Sequence, residues 1–119
     1  MKNLDESAYT QAVTLLASKQ TPITEAAVRE AYDLLRQAAD AGHPEAPYLL
    51  GEYFYYGVLV PRDEEAAFAL YRTAADRGCV AAKTLLTARK LGMERPTTVM
   101  VFAFLEAGVL QDPNREWMD

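Results

Sequence analysis

One cysteine, one histidine and one tryptophan occur in the 119 residues of this chain. With Cys79 alone there is no internal disulfide and no cysteine-based metal site, so that thiol is read as a small apolar side chain. His43 precedes Pro44 in a turn, and no serine or cysteine motif lies at a spacing that would make it a general base. No segment approaches the roughly 20 apolar residues that span a bilayer. The start, MKNLDESAYTQ, sets two acids where a secretory leader would carry an apolar core. Positive charge is also short, with 12 basic against 17 acidic side chains and a formal charge of −5. Nucleic acid and anionic membranes are held by clustered Lys and Arg, so neither is expected as a partner, whereas a basic protein is. These shortages predict a soluble, cytoplasmic protein with no cofactor. No metal site is expected either, because the acids are scattered along the helices and hard cations need convergent oxygens.

What is abundant is apolar and aromatic surface, at 50% and 10% of the residues, which places the chain far from the disordered regime. That surface is periodic. AADAGHPEA at Ala38–Ala46 returns 36 positions later as AADRGCVAA at Ala74–Ala82, and at the same offset Ala31 pairs with Ala67, Leu34 with Leu70, Gly42 with Gly78 and Leu50 with Leu86. A helical pattern with a period of a few tens of residues is the mark of a solenoid, whose units cover their apolar faces only by stacking.

Apolar spacing and end signals divide the chain into helices. The first runs from Leu4 or Asp5 to Lys19. A second starts near Ile23, capped either by Thr21 with Pro22 behind it or by Thr24 with Glu25 behind it, and ends at Gly42. Pro44 opens a third, which Gly57 closes after Tyr56. Asp63 caps a fourth over Glu64–Arg77, and Glu64 and Glu65 are read as first-turn acids that complement the helix dipole rather than as a carboxylate site. The fifth occupies Val80–Leu91 and the sixth Thr98–Ala107. Gly92–Pro96 mirrors Gly57–Pro61 at an offset of 35, and Asp112-Pro113 opens a short seventh helix over Asn114–Met118. Gly51 inside the third helix costs roughly 1 kcal/mol of helix propensity, which implies that another helix passes close to it. The chain is thus expected to be one all-α domain over 1–119, with units at about 4–42, 43–78 and 79–108 and a C-terminal cap at 109–119.

Ala46, Leu50, Gly51, Phe54, Gly57, Val60, Asp63, Ala67, Tyr71, Ala74, Ala75 and Gly78 together resemble the repeat of the Sel-one-like repeat (SLR) family, relatives of the tetratricopeptide repeat. Leu59, Ala66 and Leu70 depart from that pattern, replacing a glycine, a lysine and a tryptophan. Leu59 matters most, since a side chain resists the positive φ that glycine accepts. The resemblance covers Ala31–Leu91, with Leu4–Glu30 and Gly92–Gly108 as degenerate outer units. It implies an α/α superhelix of about three helix-turn-helix units with a concave protein-binding surface, and a histidine at the position of His43 that has no chemical role.

Tyr53-Phe54-Tyr55-Tyr56 spreads over some 300° of a helix at 100° per residue, so the four rings cannot share one core. With Phe54 assigned inward by the repeat, Glu45, Tyr48, Leu49, Glu52, Tyr55 and Tyr56 form a stripe outside the repeat's structural positions. The expected partner site is therefore Glu45, Tyr48, Glu52, Tyr55 and Tyr56, joined by Thr84 on the fifth helix and by Trp117 near the end, which either covers the last hairpin or anchors a partner. Tyrosine offers large rigid contact area, and the two glutamates suit a basic partner. The function expected is non-catalytic protein binding, as a stoichiometric inhibitor such as a bacterial immunity protein that neutralises a basic toxin or enzyme. An adaptor in a larger assembly is the alternative, and a hydrolase hidden in the groove a lesser one. Self-association through the open ends of the stack is a further expectation.

Overall fold

The computed structural model describes residues 5–18, 21–96 and 98–109. Among them are α1 (Glu6–Leu16), α2 (Glu25–Asp40), α3 (Ala46–Tyr56), α4 (Glu64–Asp76), α5 (Val80–Lys90) and α6 (Val99–Glu106), and no strand. The proposed seventh helix and Trp117 lie outside the described residues.

Local chemistry sets the helix ends. Three N-caps close on their own third residue: Asp5 accepts from the Ala8 N–H, Thr24 from Ala27 and Asp63 from Ala66, each cap contributing about 1 kcal/mol. Thr24, not Thr21, therefore starts α2. The third helix begins two residues later than Pro44 suggests, at Ala46, with Pro47 in its first turn where a missing N–H is harmless. At the C-terminal ends Gly42 (φ 99°) and Gly78 (φ 101°) take the left-handed conformation. That conformation lets the His43 N–H reach the Ala38 carbonyl at 3.0 Å and the Cys79 N–H reach Ala74 at 2.9 Å. The same closure 36 residues apart is the backbone counterpart of the sequence period. Leu59 adopts φ 66° without being glycine, so this loop position carries left-handed strain.

Hairpins α1·α2 and α3·α4 are joined by contacts of α2 with α3, and α5 packs on α4, the stacking of an α-solenoid. Gly51 is the point of closest approach between α3 and α4: a Cβ built there would lie 2.4 Å from Tyr71 Cε1 and 3.1 Å from the Ala67 carbonyl. Arg77, at the end of α4, reaches back to the carbonyls of Ala39 (3.1 Å) and His43 (3.0 Å) and clasps one unit to the next.

The last helix departs from the expected third hairpin. Instead of lining up along α5, α6 places Met100, Ala103 and Phe104 in the core formed by α1, α2 and α3, while α5 shares a separate core with α4 around Phe68, Tyr71 and Leu85. Its far end is tied by the Glu106 carboxylate, which accepts from the Ile23 N–H at 2.7 Å. This placement explains the burial of α3. Ala46, Pro47, Leu49, Leu50, Gly51, Glu52 and Tyr53 are all buried, because the helix has α2, α4 and α6 around it. Tyr53, not Phe54, is the innermost ring: it is fully buried, donates to the Val28 carbonyl at 2.8 Å and meets Tyr32 and Phe104 edge-on at 5.0 Å each.

Candidate functional site

Glu52 was expected to face a partner, and the structure corrects that. It is 0% exposed. A carboxylate is retained in such a place only when donors replace its lost water, and three converge on it: the Tyr71 hydroxyl from α4, the Arg95 guanidinium from the α5–α6 connection, and the Thr98 hydroxyl. Thr98 is the N-cap residue of α6, yet its side chain makes no cap hydrogen bond; its hydroxyl is turned toward Glu52 instead. One carboxylate thus knots together three elements that are remote in sequence.

Around Arg95 the tyrosines form a cage. Its Cζ stands 3.9 Å from the Tyr55 ring centroid, 5.4 Å from Tyr56 and 5.5 Å from Tyr71. Its Nε donates to the Tyr56 hydroxyl at 3.3 Å and its Nη2 to the Tyr71 hydroxyl at 3.0 Å. Cation–π contacts of this kind are worth about 0.5–2 kcal/mol each, more as water is excluded, and the Arg95 side chain is only 17% exposed. Burial works against the charge on Arg95, but the Glu52 carboxylate beside it overrides this and holds the guanidinium more firmly protonated than usual. Burial, seconded by Glu52, pushes the Tyr71 phenol well above its ordinary range, so it stays a donor. Arg95 Nη1 is buried with no hydrogen-bond partner among the described residues.

The remaining expected residues do not form one surface. Tyr55 and Tyr56 are half-buried around Arg95. Tyr48 is half-buried at the edge of both cores, 6.2 Å from Tyr71 between ring centroids, with its phenol pKa raised by burial and then by Glu52. Glu45 is exposed, and it raises the phenol of Tyr9, which burial has already pushed up, to about 12. Thr84 is exposed on α5, where it lines a groove of about 370 Å³ with Val80, Lys83, Thr87, Ala88, Met93, Glu94 and Pro96. Among the described residues, no residue of α6 lines that groove. Val80 (72%) and Met93 (62%) stand exposed at its walls.

His43 serves structure. Buried at 2% exposure, it stacks on Tyr9 at 4.0 Å, bonds the Glu6 carboxylate through Nε2 at 2.9 Å and accepts the Glu45 N–H at Nδ1. The accepting Nδ1 fixes the proton on Nε2, so the ring bridges α1 to the turn before α3. Among the described residues no group of three or more His, Cys, Asp or Glu could hold a metal ion, and no helix is long and apolar enough to cross a membrane.

Arg95, Tyr71, Thr98 and Glu106 were not singled out from sequence as site residues. A signal for the first existed. At the offset of 35 Arg95 aligns with Val60, and at 36 Glu52 aligns with Ala88. Two positions that are apolar in the sister unit carry opposite charges here, a pattern that marks a paired, buried substitution.

Comparison with known proteins agrees with this repeat geometry. The model of the Sel1 repeat matches residues 24–43 and 44–79, and the second match spans the α3·α4 hairpin from turn to turn. An uncharacterized Sel1-like repeat-containing protein of Schizosaccharomyces pombe is 34% identical over 50 residues, which cover 42% of this chain and 8% of that protein. The chain therefore spans a small fraction of the length of the curated relative it matches. No solved structure matches it. Residues 24–79 are Sel1 repeats, and α2, α3 and α4 are the helices of that family's unit in this chain.

Proposed function

We propose that the protein is a non-catalytic module that binds a protein partner on the open face of α5. The observation that carries this reading is the groove of Val80, Thr84, Ala88, Met93 and Pro96, a largely apolar lining to which, among the described residues, only α5 and the connection after it contribute. Exposed apolar walls around a concave surface favour a macromolecular occupant. Sel1 repeats generally mediate contacts between proteins, and the formal charge of −5 suits a basic partner. Glu94, beside Pro96 at the groove wall, supplies a carboxylate for it.

The finer form of the proposal is stoichiometric inhibition of a basic toxin or enzyme, as an immunity protein would act. It predicts a single 1:1 complex whose association slows as salt is raised, because rim charges govern encounter more than residence. An adaptor would instead hold several partners weakly. The test is affinity capture and titration with wild type, Val80→Asp in the groove, and Glu30→Lys on the remote acidic face of α2. Loss of the complex with Val80→Asp alone supports the α5 face; equal binding by both variants refutes it.

A further inference from the structure

The Glu52 cage has the composition of a recognition pocket: a buried carboxylate at the base, aromatic walls from Tyr55, Tyr56 and Tyr71, and a guanidinium inside. Its occupant does not come from the Sel1 repeats. Arg95 belongs to the connection beyond residue 79, where the family match ends, and it enters the cage with Nη1 unpartnered among the described residues. A guanidinium free to choose its approach lies fork-to-fork on a carboxylate with two parallel hydrogen bonds. Here one Glu52 oxygen receives Arg95 Nη2 and the other receives Thr98, so Arg95 does not make that geometry.

The segment carrying Arg95 leads into a short helix with one bare side. Its helix α6 has only eight residues, lies close along none of the other helices, and leaves Phe102 (63%) and Leu105 (41%) exposed on its outer side. A helix that is apolar all round is one expected to be covered on both sides. Gly92, Met93 and Glu94 connect it to α5 as an exposed turn. Glu94 and Pro96, which flank Arg95, form one wall of the α5 groove, so the cage and the proposed partner surface share an edge.

We infer that the cage formed by Glu52, Tyr55, Tyr56 and Tyr71 is an arginine-binding site for the protein partner, and that Arg95 occupies it as an intramolecular stand-in. The partner's arginine enters as Arg95 leaves, lies bidentate on Glu52 and stacks between the phenol rings. This rests on the protein-binding reading above but is tested without the partner. No bond is made or broken, and the site takes a cationic planar group, which excludes a lysine ammonium as an equal substitute.

Two measurements test it. In the unaltered chain, hydrogen exchange should show α6 amides exchanging at least about tenfold faster than those of α3, as a subglobal opening requires. If α6 is as protected as α3, Arg95 does not vacate the cage and the inference fails. In Arg95→Ala, methylguanidinium or N-acetyl-arginine amide should bind saturably and raise the melting temperature, whereas methylammonium should not. Binding should vanish in Arg95→Ala with Glu52→Gln. Binding that persists without the Glu52 charge, or an Arg95→Ala protein that folds and ignores the guanidinium probes, overturns the assignment. Should Arg95→Ala fail to fold, the exchange experiment decides alone. Failure of either leaves the α5 groove untouched, since Val80→Asp reports on that face separately.

Discussion

Replacing Gly51 by alanine reverses the usual sign of a Gly→Ala change in a helix. In an exposed helix the substitution stabilises by about 1 kcal/mol, because alanine loses less backbone entropy on folding. At Gly51 the new methyl carbon would stand 2.4 Å from Tyr71 Cε1, 2.8 Å from Cδ1 and 3.1 Å from the Ala67 carbonyl, against ordinary contact distances of about 3.5–4 Å. Neither neighbour can yield cheaply. Tyr71 is fully buried, its hydroxyl is bonded to Glu52 and Arg95, and its ring meets Phe68 edge-on at 5.1 Å. The carbonyl belongs to the backbone of α4.

Relief requires α3 and α4 to separate by roughly 1 Å, and overpacking of this kind costs about 1–3 kcal/mol, occasionally more. Loosening the Glu52 knot adds to that. The expected net loss is about 2–3 kcal/mol, which for a chain of this length lowers the melting temperature by roughly 6–15 °C. Thermal unfolding followed by far-ultraviolet circular dichroism measures it. Gly51→Ala combined with Tyr71→Leu should cost less than the sum of the two single changes, since the atoms in conflict are gone. A melting temperature equal to or above that of wild type would refute the close approach.

The Glu52–Arg95 pair should behave as a unit: Glu52→Ala or Arg95→Val alone leaves a buried charge and costs about 3–5 kcal/mol, while the double change, which installs the residue types of the sister positions Ala88 and Val60, costs far less than their sum. Urea denaturation of the four proteins closes that cycle. Leu59→Gly removes about 1–2 kcal/mol of left-handed strain and forfeits a similar amount of half-buried side chain. It should therefore fall within about 1 kcal/mol of wild type, whereas Leu50→Gly in the core costs several. Burial raises the phenols of Tyr9, Tyr48, Tyr53 and Tyr71 above their ordinary 10.0, Tyr9 to about 12. The unfolded chain releases those protons first, so the stability they contribute is intact below pH 10 and declines as pH rises through 10 to 12 and beyond. A phenolate absorbance titration should show these rings ionising together with the loss of helix; independent early ionisation would contradict their burial.

Much of the architecture was legible because it is written in local chemistry. Gly42 and Gly78 mark helix ends through a conformation open mainly to glycine, and the 36-residue offset carries that signal from one unit to the next, while Asp63 and Thr24 mark starts through a side-chain oxygen. Gly51 could be read as a close crossing because a glycine within a helix has a cost that some contact must offset. The path of α6 could not be read this way. Its mean composition is apolar on every side, so periodicity names no preferred face, and nothing local distinguishes docking along α5 from docking across α3. The error at Glu52 has the same origin: a glutamate in an otherwise open stripe is polar by type, and only the arrival of Tyr71 from α4 and of Arg95 and Thr98 from 43 and 46 residues away keeps it paired once buried.

The four consecutive aromatics acquire a different meaning once α6 is in place. A run of rings around a helix implies from sequence that some must face outward to a partner, since a repeat helix ordinarily has covered sides and one free side. α3 has no free side: Tyr53 serves the core under α2 and α6, Phe54 leans on the α4–α5 core, and Tyr55 and Tyr56 enclose Arg95. Aromatic density on this helix therefore counts its neighbours. Any partner that reaches those tyrosines must first replace what the chain itself has put there, and the replacement must bring a cation, because Glu52 cannot be left unpaired beneath it. This couples access to chemistry: an apolar helix without an arginine could cover Tyr53 and Tyr56 and would still be rejected at Glu52.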